Sequence, residues 1–149
     1  MMNLNTVVMA KDGELVDLHF AEFSNGVIIV NTTPHPINIQ DVDGEVGIVP
    51  TSVLINAKAV EKPVKGKPLF VKTEFVGTEE GRKMLTKIET KFDLNYPDWK
   101  EQGKELVIIG SVIAAQAYPG EVLAMVPVPG YERVVPDQKR MRCDKFTTY

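Results

Sequence analysis

Short runs of apolar residues alternate with turn-forming pairs through the first half of the chain. Asp-Gly or Asn-Gly pairs at 12–13, 25–26 and 43–44 each lie between two such runs. These pairs favour tight hairpin turns because both residues tolerate positive φ. Residues 37–40 alternate between apolar and polar positions, which is typical of a half-buried strand. The first half is therefore predicted to consist of short strands joined by tight turns.

The pattern changes at Thr78, where the apolar residues take helical spacing. Thr78 is a candidate N-cap, and acidic residues follow it in the first turn. The apolar positions recur at intervals of three and four residues: Met84, Leu85, Ile88 and Phe92. We predict one longer helix here. A second, short, alanine-rich helix is predicted over 112–117, directly after a buried strand.

Together these patterns indicate an α+β fold that is mainly an antiparallel β meander or small barrel, with one longer and one short helix. The predicted strands cover residues 4–9, 15–20, 27–31, 37–40, 45–49, 53–60, 69–76, 106–109, 122–128, 131–135 and 140–146. We expect residues 1–149 to form a single domain. Within it, residues 1–26 are expected to be an N-terminal hairpin extension, and 77–103 a helical insert that Trp99 anchors.

Composition narrows the classes of function. The chain has 149 residues, of which 44% are hydrophobic and 25% charged, as in an ordinary soluble domain. Its net charge of −3 argues against general nucleic-acid binding, which needs a concentrated basic surface. One cysteine and two separated histidines provide neither a disulfide nor a zinc-type cluster. We therefore expect no metal and no cofactor.

The apolar runs are also too short for a membrane protein. A spanning helix needs about 20 predominantly apolar residues, and the longest run, around 105–118, is interrupted before that length. The first residues lack the basic lead and long apolar stretch of a secretory signal. We expect no membrane partner and a cytoplasmic location, which would be the host cytoplasm for a viral product.

His35 is the first candidate for a functional residue. It lies between two prolines in the segment VIIVNTTPHPINI, and the prolines stiffen the backbone on both sides. A side chain presented in a nearly fixed direction suits a ligand contact, and Thr33 lies beside it. A purely structural turn is the alternative interpretation. A general base also needs a substrate and an orienting group beside it, and the sequence shows neither.

Ser111 is the second candidate, because it lies where a buried strand gives way to the short helix. The first N–H groups of a helix are unpaired and attract phosphate or carboxylate. The segment has no G-x-G-x-x-G pattern and no phosphate loop with Lys-Ser or Lys-Thr. Ser111 as a simple N-cap is therefore the alternative.

The last 17 residues carry the clearest charge feature, a cluster of cations in an acidic chain. Arginine matches phosphate and carboxylate with two parallel hydrogen bonds, so Arg133, Arg140 and Arg142 are predicted to bind an anion. The alternative is a solvated edge strand whose charges prevent aggregation. Cys143 lies among these cations and would be reactive only with a lowered pKa. Burial of Cys143 is the more common outcome.

Three segments resemble small proteins that are frequent in phages, prophages and bacterial genomes. The segments read IIVNTTPHPINI, LVIIGSVIAAQAYPGEVLAMVPVPGYERVV and RMRCDKF, within residues 26–50 and 105–146. That family carries Asn-x-Thr-Pro-His at a strand end, then a Ser-x-Val-Ala-x-Ala-x-Pro helix, then a Gly-Cys-Arg-Phe-like strand. The matching positions are Asn31, Thr33, Pro34, His35, Ser111, Ala114, Ala117, Pro119, Cys143 and Phe146. The resemblance implies a phage or mobile-element setting and no particular activity.

We expect a non-enzymatic, phage-type accessory protein that forms a homo-oligomer and binds a small anionic, nucleotide-like ligand. The expected ligand-binding residues are His35, Thr33, Ser111, Arg133, Arg140 and Arg142. This hypothesis requires the His35 loop, the start of the short helix and the terminal strand to border one pocket. A structural or assembly protein of a virion or scaffold is the alternative. An enzyme that depends on Cys143 or His35 is the third.

Overall fold

The computed structural model describes residues 2–149. The strands in chain order are β1 (Asn3–Lys11), β2 (Glu14–Glu22), β3 (Val27–Asn31), β4 (Ile37–Gln40), β5 (Val46–Val49), β6 (Ala57–Val64), β7 (Lys67–Gly77), β8 (Glu105–Gly110), β9 (Val122–Pro127) and β10 (Met141–Thr147). Helix α1 (Glu79–Asn95) lies between β7 and β8, and helix α2 (Val112–Ala117) lies between β8 and β9. A 3-10 turn at Pro136–Gln138 precedes the last strand.

Eight strands form one mixed sheet in the order β1-β2-β3-β8-β9-β10-β4-β5. The pairs β1/β2, β2/β3, β9/β10 and β4/β5 are antiparallel. The pairs β3/β8, β8/β9 and β10/β4 are parallel. An isolated parallel bridge joins Asn31 to Thr51, so the sheet curls toward its own far edge without closing. Strands β6 and β7 form a separate two-stranded hairpin.

The two faces of the sheet bury different side chains because successive residues of a strand point in opposite directions. Ile28 and Val30 of β3 belong to the core that includes Phe92 of α1. Ile29 lies on the other face of β3, in a second buried cluster that includes Cys143. A strand buried on both faces needs a continuous apolar run, which explains the sequence VIIV at the start of β3.

Both predicted helices are confirmed, with the predicted caps. The Thr78 hydroxyl accepts a hydrogen bond from Gly81 N–H at 3.0 Å, and the Ser111 hydroxyl accepts one from Ala114 N–H at 3.1 Å. Each capped N–H would otherwise lack a partner in the first turn. The four apolar positions identified in α1 are all buried. Within residues 2–149, no helix is both long enough and apolar enough to cross a membrane.

The predicted fold class is confirmed: the fold is α+β, with a sheet rich in antiparallel pairs, one long helix and one short helix. The small barrel is not formed, since the sheet stays open. The three parallel pairs were not expected. Two of them arise from crossovers, since α2 connects β8 to β9 and the long segment from β4 to α1 connects β3 to β8. The third pairs β10 with β4, which are far apart in the chain. The domain division at residues 26, 77 and 103 stays a prediction.

Two predicted strands need correction. Residues 131–135 form a loop, since Pro129, Gly130 and Pro136 interrupt the ladder on both sides. The strand predicted over 53–60 begins at Ala57 instead. Val53 and Ile55 are buried, but the backbone around them has no strand partner. The alternation of apolar and polar residues around Val53 and Ile55 therefore reflects burial of these side chains and not strand pairing.

Candidate functional site

The segments that carry the predicted site residues meet at one edge of the sheet. Strands β3, β8 and β9 run parallel, so their carboxyl ends lie at the same edge. Strands β4 and β10 begin there, because β10 is antiparallel to β9 and parallel to β4. We call this the C-terminal edge. Three predicted positions lie along this edge. The loop with Thr33 and His35 leads into β4, Ser111 follows β8, and Arg140 precedes β10.

The loop after β3 is built around Asn31, whose side chain is fully buried. Its Nδ2 donates to the carbonyls of His35 at 2.8 Å and Val49 at 3.1 Å. Its Oδ1 accepts from the backbone N–H of Thr33 at 2.9 Å, and the Thr33 hydroxyl lies 2.6 Å from the same oxygen. All the hydrogen-bonding positions of the carboxamide are therefore satisfied within the loop. Asn31 fixes the backbone that presents the His35 side chain.

Thr33 and His35 have different surroundings within this loop. Thr33 is buried, and its hydroxyl lies 3.0 Å from the His35 carbonyl oxygen, so its polar group is engaged in holding the loop. The His35 side chain is exposed, and it makes no side-chain hydrogen bond to the described residues. The geometry thus leaves the imidazole accessible to a ligand. The Thr33 hydroxyl is not accessible to a ligand, because it is buried and engaged within the loop.

Thr32 connects this loop to the end of β8. Its backbone N–H and its hydroxyl both donate to the carbonyl of Ile109, at 2.9 and 2.7 Å. Gly110 follows, and an added Cβ there would lie 3.2 Å from the Thr32 hydroxyl oxygen and closer still to Val122. The backbone at Gly110 therefore lies close to Thr32 and Val122, immediately before Ser111 at the start of α2. Ser111 itself is exposed and serves as the N-cap of α2.

Arg140 is the best-positioned cation at the C-terminal edge. Its guanidinium carbon lies 4.8 Å from the centre of the Tyr131 ring, and its Nη1 donates to Gln40 Oε1 at 3.3 Å. Stacking on an aromatic face and bonding to a neutral amide hold the guanidinium without neutralising it. Arg140 is half-buried and forms no ion pair with a carboxylate of residues 2–149. Most of its N–H donors therefore remain available.

The other two predicted arginines are less suited to bind an anion. Arg142 makes two parallel hydrogen bonds to Asp144, with Nε 2.7 Å from Oδ1 and Nη2 3.1 Å from Oδ2. This pairing holds the pKa of Asp144 below its ordinary value. An anion would have to displace that carboxylate to bind Arg142. Arg133 is exposed on the loop between β9 and β10.

Cys143 lies on the opposite face of β10, in the second buried cluster. Burial raises the pKa of its thiol to about 11, and the negative charges of Asp41 and Asp144 act in the same direction. A raised pKa keeps the sulfur protonated near neutral pH, which disfavours nucleophilic attack. Asp41 is also buried, and its carboxylate accepts from the Ser24 hydroxyl at 2.7 Å and from Val42 N–H at 2.7 Å.

The cavities on the described surface add one further correction. Of five cavities on this surface, four are lined by none of the predicted site residues, and the fifth, of about 330 Å³, is lined by Arg142 together with Cys143 and Asp41. His35, Ser111 and Arg140 thus share an edge of the sheet but do not line any of these five. His35 and Ser111 are exposed, and Arg140 is half-buried. This arrangement suits a small ligand held by a few directed contacts more than one enclosed in a deep pocket.

Sequence reasoning missed the two residues that position Arg140. Gln40 ends β4, and the parallel pairing of β4 with β10 brings it beside Arg140. The sequence pattern placed Gln40 in an alternating strand. Its contact with Arg140 depends on the parallel pairing of β4 with β10, which was not expected. Tyr131 was assigned to a strand that does not form, so nothing in the sequence indicated its contact with Arg140.

Residues 2–149 contain no cluster of three histidine, cysteine or acidic side chains with the geometry to hold a metal ion. Comparison of the chain with protein-family models, with curated proteins and with solved structures gave no match.

Proposed function

We propose that this chain is a non-enzymatic accessory protein that binds a small anionic ligand at the C-terminal edge. The ligand class is a phosphate-bearing molecule such as a nucleotide. Arg140 supplies the main contact, His35 and Ser111 lie at the same edge, and Arg133 and Arg142 contribute at its margin. The resemblance to phage and prophage proteins supports a phage-type product that acts in the cytoplasm, or in the host cytoplasm for a virus.

The half-buried, unpaired guanidinium of Arg140 carries this proposal. A partly desolvated arginine normally pairs with a carboxylate, because an uncompensated charge away from water is costly. Arg140 instead has an aromatic face and one amide oxygen. An arriving phosphate would accept two parallel hydrogen bonds from it and supply the missing negative charge. The free imidazole of His35 can add a further donor at the same edge.

Titration calorimetry with inorganic phosphate, AMP and ADP tests the proposal. Arg140→Ala should weaken binding of the tightest ligand about tenfold or more, since hydrogen bonds to a charged group contribute about 1.5–3 kcal/mol. Lys145→Ala is the matched control, because it removes an exposed cation from β10, the strand that directly follows Arg140. Equal loss in both variants, or no saturable binding by the wild type, would contradict the proposal.

An assembly role is the second candidate, and one observation favours it. The hairpin of β6 and β7 stands apart from the main sheet and exposes Leu69, Phe70 and Val71. Exposed apolar side chains clustered on a protruding element are typical of contacts between proteins. An enzyme that depends on Cys143 or His35 is the third hypothesis, and the raised pKa of the Cys143 thiol disfavours the route through Cys143.

A further inference from the structure

The hairpin Ala57–Gly77, which we call the arm, makes little contact with its own chain beyond its base. Phe75 and Ala57 pack against the main core. Farther out, every residue from 61 to 73 is exposed except Val64, which is half-buried. A two-stranded hairpin is marginally stable in water unless it packs against something. The outer half of the arm therefore lacks a packing partner within residues 2–149.

The tip of the arm is both apolar and basic. The register of β6 and β7 shifts between Pro63 and Val64, so β7 bulges over the segment that contains Leu69. Leu69 is 93% exposed, and Phe70 and Val71 beside it are more than half exposed. The arm carries five lysines against two glutamates, a net charge of +3 in a chain whose total is −3. The remainder of the chain therefore has a net charge of −6.

A complementary surface exists on the β1–β2 hairpin. Opposite partners in an antiparallel pair share a face, so Leu4, Val8 and Ala10 lie on the same face as Leu15 and Asp17. The Thr6 hydroxyl lies 2.8 Å from His19 Nδ1, as expected for two residues on this face. The opposite face of the hairpin is buried through Met9, Leu18 and Phe20. We call the uncovered side the acceptor face.

The acceptor face has exposed apolar residues like those of the arm, and its charge is opposite in sign. Leu4, Val8 and Leu15 are exposed, and Leu15 is 77% exposed. On the acceptor face itself the acidic residue is Asp17, with Asp12 in the adjoining turn, whereas Glu14 and Glu22 belong to the opposite face. The whole hairpin, with four acidic residues and one lysine, has a net charge of −3. The outer edge of β1 pairs with no strand of residues 2–149, and the Lys87 ammonium donates to the Ala10 carbonyl on this strand at 3.1 Å. Apolar contact with a complementary charged rim is the usual composition of a specific interface.

We infer that the arm of one copy packs its tip against the acceptor face of a second copy of this chain. Leu69 and Val71 meet Leu15 and Val8, while the arm lysines face the acids around the β1–β2 turn. A contact between two different surfaces is heterologous, so it builds a ring or a filament unless two arms exchange reciprocally. The inference is independent of anion binding, since neither surface contributes a residue to the C-terminal edge.

Sedimentation velocity of the full chain over a range of concentrations tests the inference. The wild type should associate, and added salt should weaken the association because it screens the charged rim. Leu69→Ser and Leu15→Ser should each raise the dissociation constant about tenfold or more, as substitutions at the centre of an interface do. Leu94→Ser is the matched control, because Leu94 is 70% exposed on α1, outside both surfaces. It should leave association unchanged.

Mixing the two weakened variants gives a sharper result. Leu69→Ser keeps an intact acceptor face and Leu15→Ser keeps an intact arm, so an equimolar mixture should associate more strongly than either variant alone. A wild type that stays monomeric at low salt overturns the inference, as does association that Leu69→Ser leaves intact. A monomer that binds anionic lipid vesicles or nucleic acid through the arm lysines also overturns it. Phosphate binding by Leu69→Ser should equal that of the wild type, which separates this test from that of the proposed function.

Discussion

The hydroxyl of Tyr118 donates a hydrogen bond of 2.8 Å to the backbone carbonyl of Asn56. The same hydroxyl accepts one of 2.9 Å from the backbone N–H of Thr78. Asn56 immediately precedes the arm, and Thr78 immediately follows it. A fully buried side chain at the end of α2 therefore ties the two ends of the arm to the helix layer.

Removing this hydroxyl should loosen the base of the arm. Tyr118→Phe leaves the Asn56 carbonyl and the Thr78 N–H without their described partner, which should lower the free energy of unfolding by about 1–2 kcal/mol. Urea denaturation measures that loss, and hydrogen exchange should become faster at Thr78. Tyr131→Phe is the control, because the Tyr131 hydroxyl has no hydrogen bond within residues 2–149. Equal stability of Tyr118→Phe and the wild type would show that these two hydrogen bonds of the Tyr118 hydroxyl do not stabilise the protein.

Gly81 is required by the same tyrosine. An added Cβ at this position would overlap the Tyr118 hydroxyl. Replacing glycine by alanine inside a helix normally stabilises it by about 1 kcal/mol, but here Gly81→Ala should destabilise the protein. The loss should be smaller when the same substitution is made in Tyr118→Phe, because the overlapping oxygen is gone. A thermal melt of the single and double variants checks this, and a stabilised Gly81→Ala would contradict the packing described.

The loop that presents His35 depends on Asn31. Asn31→Ala removes a buried group that satisfies two backbone carbonyls and the Thr33 N–H. We expect a loss of at least about 2 kcal/mol in the free energy of unfolding, because buried polar groups left without partners cost about 1–3 kcal/mol each. Asn95→Ala is the control, since Asn95 is exposed and bonds only to Lys91 of its own helix. A loss no larger than that of the control would contradict the role of Asn31.

The stability of the protein should fall in alkali because of Cys143. The unfolded thiol ionises near its ordinary pKa of 9.0, whereas the folded thiol keeps its proton up to a pKa of about 11. Between these values the unfolded state binds fewer protons, so the free energy of unfolding decreases as the pH rises. Cys143→Ala should flatten this decrease. Urea denaturation between pH 8 and 11 measures it, and equal slopes in the two proteins would contradict the raised pKa.

Local patterns predicted the elements whose signals lie within a few residues. Thr78 and Ser111 were identified as helix caps because capping depends on the next three residues. The hairpin turn at 12–13 and the bounds of β3 were also visible locally. The sequence pattern ended β6 at residue 60, before Pro63, because proline usually interrupts a strand. The strand instead continues through Pro63 to Val64. An edge strand accepts a proline whose missing N–H would face solvent.

Long-range pairing could not be predicted in the same way. The parallel neighbours β4 and β10 are about a hundred positions apart in the chain, and no local pattern specifies that pairing. This pairing brings Gln40 to Arg140 and places the start of β10 beside the start of β4, into which the His35 loop leads. The pairing of Arg142 with Asp144 is local, since alternate residues of a strand share a face. The sequence alone therefore indicates that ion pair, which competes with anion binding at Arg142.

Binding of a phosphate-bearing anion at the C-terminal edge can be observed residue by residue. The most direct measurement is a titration of isotope-labelled protein with ADP, followed by amide chemical shifts in two-dimensional NMR. We predict saturable shifts clustered at Thr33 and His35, at Ser111 and at Arg140, with the same midpoint at each position. The absence of saturable shifts, or shifts confined to the lysines of the arm, would contradict the proposed binding at this edge.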